Sequence, residues 1–286
     1  MKIRLCAFAD EAAGDFDGQI AALKRSNIGL IELRNADGKN VADFTLEYAR
    51  EIKAKMNANG IAVWSIGSPV GKSKIEDDFA FEKKRLNHIL DLCGIFGCDK
   101  IRIFSFFTNE YDKHRAEIKH RLKEMYKIAK ARGITLCHEN EKDIYGDTVA
   151  RTKDLLDNIK ELGSIFDPAN FLQCGQDIDA AIDLLFDRTD YFHIKDVISK
   201  TGELVPAGMG DGKIDRLIKY MKKDYVLTVE PHLKVFAGYA NIDKAEMKNK
   251  FTFNSNGEAF DCAVEALKKI LKENNFKENK GIWVKR

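Results

Sequence analysis

Apolar and β-branched residues gather into eight short runs, at 3–9, 28–34, 61–66, 101–107, 134–139, 164–167, 191–196 and 225–230. Several runs are almost continuously apolar, the pattern of parallel strands covered on both faces. The segments between them carry helical spacing instead. Leu86, Ile89, Leu90, Cys93 and Phe96 form one stripe and Phe260, Val264, Leu267 and Leu271 another, each with charges on the opposite face. Gly60, Gly133 and Gly163 stand at or just before the third, fifth and sixth runs, where a residue tolerant of the left-handed turn would close a helix. Eight strands alternating with helices predict an α/β protein, a (β/α)8 TIM barrel forming a single domain over residues 1–286. An open doubly wound sheet would use fewer strands and a glycine-rich first turn. The first run is followed by Ala9-Asp10-Glu11-Ala12-Ala13-Gly14, with no Gly-x-Gly-x-x-Gly, which argues against a nicotinamide or flavin site.

Pro69, Pro168 and Pro231 follow the third, sixth and eighth runs and mark exits from strands. The stretch 233–258 after strand eight has no pattern but contains Phe236, Tyr239, Phe251 and Phe253. A loop of that length is expected to cover the barrel mouth or to form an oligomer contact. The charged tail, 272–286, is expected to fray, with Trp283 as its packing anchor.

A hydrophobic share of 44% excludes a disordered polymer. Lys plus Arg is 47 against 45 for Asp plus Glu, and a net charge of +2 gives no overall basic field for nucleic acid. No run approaches the ~18 apolar residues of a membrane span. Asp10 and Glu11 end the only apolar run near the basic start, so the chain reads as cytoplasmic, with no membrane partner. The six cysteines are scattered, with no Cys-x-x-Cys, and read as small buried hydrophobes.

Barrels of this kind carry their chemistry at the C-terminal ends of the strands. Strand five ends Cys137-His138-Glu139-Asn140, strand six Phe166-Asp167-Pro168-Ala169-Asn170, strand seven His193-Ile194-Lys195-Asp196 and strand eight Val229-Glu230-Pro231-His232. Carboxylates converging on one axis would repel, and a divalent cation resolves this. Glu139, Asp167, His193 and Glu230 would offer three hard oxygens and one nitrogen, a set suited to one ion of manganese, magnesium or cobalt, with zinc admissible. Around them Arg102, Lys195 and Asn170 are candidate substrate contacts, with Ser105 and the turn 208–212 on the rim. Glu32 and Arg34 alternate on strand two and would face the same side, as a substrate contact or as an ion pair. The loop 67–72 could form a backbone anion nest with Lys72, suited to a phosphate or carboxylate. His138 faces away from Glu139, towards the helix layer, and His88, His114 and His120 sit on predicted helices.

These four strand-end motifs, in order, resemble the xylose isomerase-like barrel superfamily of sugar isomerases and epimerases, which also holds inosose dehydratases, hydroxypyruvate isomerases and an apurinic endonuclease branch. The resemblance covers essentially the whole chain and implies that Glu139, Asp167, His193 and Glu230 bind the metal. It implies further that Glu139 and Glu230 are catalytic, one as base and one as acid, in an isomerase or epimerase working through a metal-stabilised enediolate on a small sugar or sugar phosphate. An inosose dehydratase-like lyase and a catalytically silent sugar- or metal-binding barrel are the alternatives, and a homo-oligomer is left open. One departure stands out: many relatives carry a His three residues after the metal-binding Asp, where this chain has Asn170. With six histidines in all, the multi-histidine zinc site of the endonuclease branch is not reproduced.

Overall fold

The computed structural model describes residues 1–236, 239 and 247–285. Eight parallel strands succeed one another around a closed barrel: β1 (Lys2–Ala7), β2 (Leu30–Leu33), β3 (Ala62–Ile66), β4 (Lys100–Ile103), β5 (Thr135–Glu139), β6 (Gly163–Phe166), β7 (Tyr191–Ile194) and β8 (Tyr225–Val229). β8 pairs with β1 from Ile3↔Tyr225 to Ala7↔Val229 and closes the ring. Some apolar runs overshoot their strands. Phe104 and Phe106 are fully buried in the loop over the barrel end, so their hydrophobicity reports burial and not ladder membership.

Nine helices are described: α1 (Phe16–Arg25), α2 (Leu46–Ala58), α3 (Phe79–Phe96), α4 (Tyr111–Lys130), α5 (Val149–Asn158), α6 (Pro168–Gln173), α7 (Ile178–Leu185), α8 (Ile214–Tyr220) and α9 (Asn256–Glu273). The two expected stripes are the buried faces of α3 and α9. Asp15, Thr45, Asp78, Thr148, Asp177 and Ser255 cap helix starts by accepting backbone N–H groups. Each such cap contributes about 1 kcal/mol. Gly60 and Gly133 do take the left-handed conformation, with φ of +68° and +70°. Gly163 does not close a helix: α5 stops at Asn158, and Gly163 is the first residue of β6. A Cβ there would sit 2.7 Å from Cys137 Sγ, so close packing against β5 demands the glycine.

Side chains alternate across each strand, and this places the site. Cys6, Cys137, Ile165, Tyr191 and Val226 form a small buried cluster of their own, separate from the large core between strands and helices. Two residues further along the same strand faces come Glu139, Asp167, His193 and Thr228, and two beyond Thr228 comes Glu230. The site residues therefore continue an apolar layer inside the barrel.

The tail does not fray. Residues Phe276–Asn279 (β9) and Ile282–Lys285 (β10) form an antiparallel hairpin, and β10 pairs with the start of β1 through Lys2↔Val284, Ile3↔Trp283 and Arg4↔Ile282. β1 meets β2 only at Cys6 and Ala7, so the hairpin occupies the edge that β2 leaves open. Trp283 is 1% exposed, while Val284 beside it points to the hairpin's other, exposed face. Of the excursion expected at 233–258, residues 237, 238 and 240–246 lie outside the described residues, and 256–258 already belong to α9. Among the described residues no helix is long and apolar enough to cross a membrane.

Replacing Trp283 with alanine should lower stability by about 3–5 kcal/mol, the usual cost of deleting a buried aromatic ring. Urea denaturation measures it, and a loss below about 1 kcal/mol would mean that the hairpin does not support the barrel.

Candidate active site

One donor atom from each of Glu139, Asp167, His193 and Glu230 lies within 4.8 Å of all the others, and all four residues are buried. His193 is the centre. Its Nδ1 is 2.7 Å from Glu139 Oε1 and 3.0 Å from Glu230 Oε2, while its Nε2 donates to Glu32 Oε2 at 3.0 Å. Burial alone would lower the pKa of this imidazole, but Glu139, Glu32 and Glu230 outweigh it and raise the pKa well above the usual value. The proton so held sits where a metal cation would be bound among the same donors.

Asp167 is placed by the start of α6. It is the N-cap, its Oδ1 accepting from Asn170 N at 3.0 Å, and Pro168 follows in the first helical turn. Burial, then Glu230 and Glu139, raise its pKa to about 7 against the opposing pull of Lys195, whose Nζ is 3.0 Å from Oδ2. Glu230 is held well below the usual carboxylate range by Lys195 and His193, despite its burial. Asp167 Oδ2 and Glu230 Oε2 are buried and have only these ion-pair contacts, to Lys195 and His193, with no well-directed hydrogen bond. Two such oxygens facing an imidazole nitrogen, with a third carboxylate beside them, fit a divalent cation.

Around this cluster lies a layer of charge that the sequence pattern only partly showed. Arg34, 2% exposed, binds Asp10 through Nε and Nη2 (2.9 and 3.0 Å), Glu11 through Nη2 (3.2 Å) and Glu230 through Nη1 (3.0 Å). It does not make the expected pair with Glu32, because that carboxylate is taken by Tyr191, Thr228 and His193 at 2.9, 3.0 and 3.0 Å. Glu32 thus lies beneath the site and not on its substrate side. In the sequence Asp10 and Glu11 mark only the end of an apolar run, and a pair of acids just after a strand is the one signal of their role. Burial pushes the Glu11 carboxyl up to about 8 against the pull of Arg34. Arg102 faces Glu139 (3.3 Å) and donates to the Gly67 carbonyl (3.2 Å), its guanidinium 5.0 Å from the Phe8 ring.

Other expected contacts fall elsewhere. Asn170 Nδ2 donates to the Asn140 carbonyl, and Asn140 clasps the Asp167 backbone with both ends of its amide, all at 2.9 Å. The two asparagines tie the ends of β5 and β6 together. The loop 67–72 is no anion nest, since Gly71 N is bound by Glu82 Oε2 (2.9 Å), Val70 N by Ser68 Oγ and Lys72 N by the Pro69 carbonyl. Lys72 reaches Glu141 Oε2 at 3.2 Å. The turn 208–212 wraps the Asp196 carboxylate, which accepts from Gly208, Gly210 and Gly212 N–H. Ser105 lies away from the rim, hydrogen-bonded at 3.0 Å to His138 Nε2. His232, with φ of +47°, has its backbone N–H on Glu11 (2.7 Å) and its ring against Phe236 and Tyr239 of the following loop.

A closed barrel with this cluster at its C-terminal end can be set against known proteins. Residues 20–234 match the family described as xylose isomerase-like TIM barrel. The chain belongs to that family. Among solved structures it is similar to an IOLI protein with a bound zinc atom (TM-score 0.74, 13% identity, 94% of this chain and 98% of that one). It is also similar to the probable 3-DHS dehydratase AsbF from Bacillus anthracis (TM-score 0.70, 16% identity, 94% and 99% covered). A third is a D-psicose 3-epimerase in the presence of D-fructose (TM-score 0.69, 14% identity, 93% and 97% covered). At these identities the likeness is one of fold. No curated protein matches the chain.

Arg34→Met should destabilise the protein by about 3–5 kcal/mol at neutral pH, because it removes the guanidinium that pairs with the buried Asp10 and Glu11. Glu11, already raised to about 8 by burial with Arg34 opposing, then lies still further above its unfolded pKa, so the deficit should shrink as the pH falls and that carboxyl protonates. Urea midpoints from pH 8 to pH 5 test this; a deficit that does not change with pH would mean that Arg34 acts through packing alone.

Proposed function

We propose that this protein is a metal-dependent isomerase or epimerase of sugars, moving a proton at a carbon next to a carbonyl. The observation that carries this reading is the arrangement of Glu139 and Glu230, which flank one imidazole nitrogen at 2.7 and 3.0 Å and each face a buried guanidinium of their own. Taking a proton from one face of a carbon and delivering one to the opposite face calls for two positioned acid–base groups. A divalent cation held by Glu139, Asp167, His193 and Glu230 would polarise a carbonyl oxygen and make the neighbouring C–H more acidic. The donor set suits manganese, magnesium or cobalt, and also zinc.

This chain's own residues do the rest. Glu139 is the candidate to accept the substrate proton and Glu230 to deliver one, with the roles exchanged in reverse. Arg102 and Arg34 orient these carboxylates. Glu32 fixes the His193 tautomer with the proton on Nε2, leaving Nδ1 as the donor towards the cluster. Phe8 packs edge-on against His193 and under Arg34, where it excludes water from the cluster floor. The epimerase among the fold neighbours agrees with this reading. A dehydratase reading would have to draw its acid from Glu139 or Glu230, because burial holds the His232 imidazole, 3.5 Å from Glu230 Oε1, well below its usual pKa. Loss of one water from the substrate, read by mass, separates the two.

Glu139→Gln and Glu230→Gln, each verified as metal-loaded, should lose about 10²-fold or more in exchange of the substrate C–H with solvent deuterium. Exchange at the parent rate in either variant would remove that residue as a proton carrier. Glu32→Gln should weaken metal affinity by about 10- to 100-fold, as measured by competition with a chelator. Unchanged affinity would show that His193 needs no carboxylate behind it.

A further inference from the structure

Glu32 is a buried carboxylate, and among the described residues it forms an ion pair with no lysine or arginine; His193 is its one basic partner. Its oxygens are filled by hydroxyls and by that imidazole. Oε1 accepts from the Tyr191 hydroxyl at 2.9 Å, while Oε2 lies 3.0 Å from both Thr228 Oγ1 and His193 Nε2. The backbone aims this side chain. Ile31 pairs with Val63 but Glu32 with Ser65, so the register shifts and Trp64 is an extra residue on β3. A bulge of this kind bends the local pairing and re-aims the side chains around it.

Tyr191 is fixed as firmly as the carboxylate it meets. It is fully buried in the apolar cluster with Cys6, Cys137, Ile165 and Val226, and its ring stands edge-on to Trp64 with centroids 5.9 Å apart. On β7 it pairs with Ile165 of β6, and His193, two residues on, pairs with Thr228 of β8. The three donors to Glu32 therefore come from two neighbouring strands, across the barrel interior from β2. The Tyr191 hydroxyl also lies 3.2 Å from Ser65 Oγ, so it bonds none of the four cluster residues directly. A glutamate side chain has much rotamer freedom to lose, and one with an unbonded oxygen can turn away from its partner. An imidazole that binds a metal through one nitrogen is oriented by the acceptor on the other, so what holds Glu32 bears on where His193 Nδ1 points.

Resting on the metal-dependent reading, we infer that Tyr191 is a positioning residue of this site and acts through Glu32. Thr228 shares the oxygen that His193 uses, whereas Tyr191 is the only donor to Oε1 among the described residues. Its hydroxyl pins that oxygen, which keeps Oε2 in place as the acceptor for His193 Nε2–H and holds Nδ1 towards the cluster. The ring fills the apolar floor, and the hydroxyl does the positioning.

The test uses the full chain with manganese alone, its affinity measured by competition with a chelator. Tyr191→Phe keeps the ring and its packing and removes only the hydroxyl. It should weaken manganese binding by about five- to tenfold, at or below the low end of the loss usual for a carboxylate directly behind a metal-binding histidine. In a Glu32→Met background, where no carboxylate is left to hold, the same substitution should change the affinity by less than about twofold. An equal loss in both backgrounds, or no loss in the parent, overturns the inference, because a packing effect would not depend on Glu32. A second readout needs neither the metal nor a second substitution: the proton resonance of His193 Nε2–H in the metal-free, isotope-labelled protein. In Tyr191→Phe it should move upfield as the bond to Glu32 loosens. A resonance that stays in place or moves downfield overturns the inference whether or not metal binds. A parent that binds neither manganese nor zinc defeats the metal-dependent reading, and the resonance then decides by itself whether Tyr191 acts on His193 through Glu32.

Discussion

Carboxylates brought together out of water repel, and much of this molecule is arranged around that repulsion. Asp10, Glu11, Glu32, Glu139, Asp167 and Glu230 are all at most 4% exposed at one end of the barrel. Arg34 alone answers three of them, and it can because its planar guanidinium presents donors in several directions at once, which a lysine could not do. Lys195, Arg102 and the His193 imidazole answer the rest. The same balance that lets the barrel end fold leaves two carboxylate oxygens beside His193 held by ion-pair contacts alone. Stability and chemistry meet there: a group that satisfied those oxygens internally would remove the donors a cation needs.

The barrel's geometry makes such a concentration of charge feasible. Alternation along the strands stacks an apolar layer of Cys6, Cys137, Ile165, Tyr191 and Val226 inside the barrel, so the polar residues two positions further on converge on a packed floor and not on open water. Tyr191 joins the two layers, since its ring belongs to the apolar cluster while its hydroxyl donates to Glu32. Side-chain position is further set by backbone clamps, in particular the Asn140–Asp167–Asn170 network at the ends of β5 and β6. Asn170 belongs to this network, its amide donating to the Asn140 carbonyl.

Much of the fold was legible in the sequence. The eight apolar runs became eight barrel strands, and the stripes on α3 and α9 became buried faces, because hydrophobic periodicity directly reports which side of an element is covered. The strand-end motifs likewise located Glu139, Asp167, His193 and Glu230, since the end of a buried parallel strand is where a polar residue can first face the mouth. Gly163 and the tail were misread for one shared reason. A glycine demanded by Cys137 and a charged tail around one tryptophan look locally like a helix end and a frayed terminus, and only a partner distant in sequence reveals otherwise.

The amino-acid order by itself determined the alternation of strands and helices, the closed barrel and the set of residues at four strand ends, because each depends on local period and polarity. Which charge faces which was decided by the tertiary structure. Arg34 lies 196 positions from Glu230, and Glu32 lies 161 positions from His193, so neither pairing leaves a trace in any local window. Closure of β8 against β1 brings such groups together, and once they are out of water their positions are set by the requirement that every buried charge be matched.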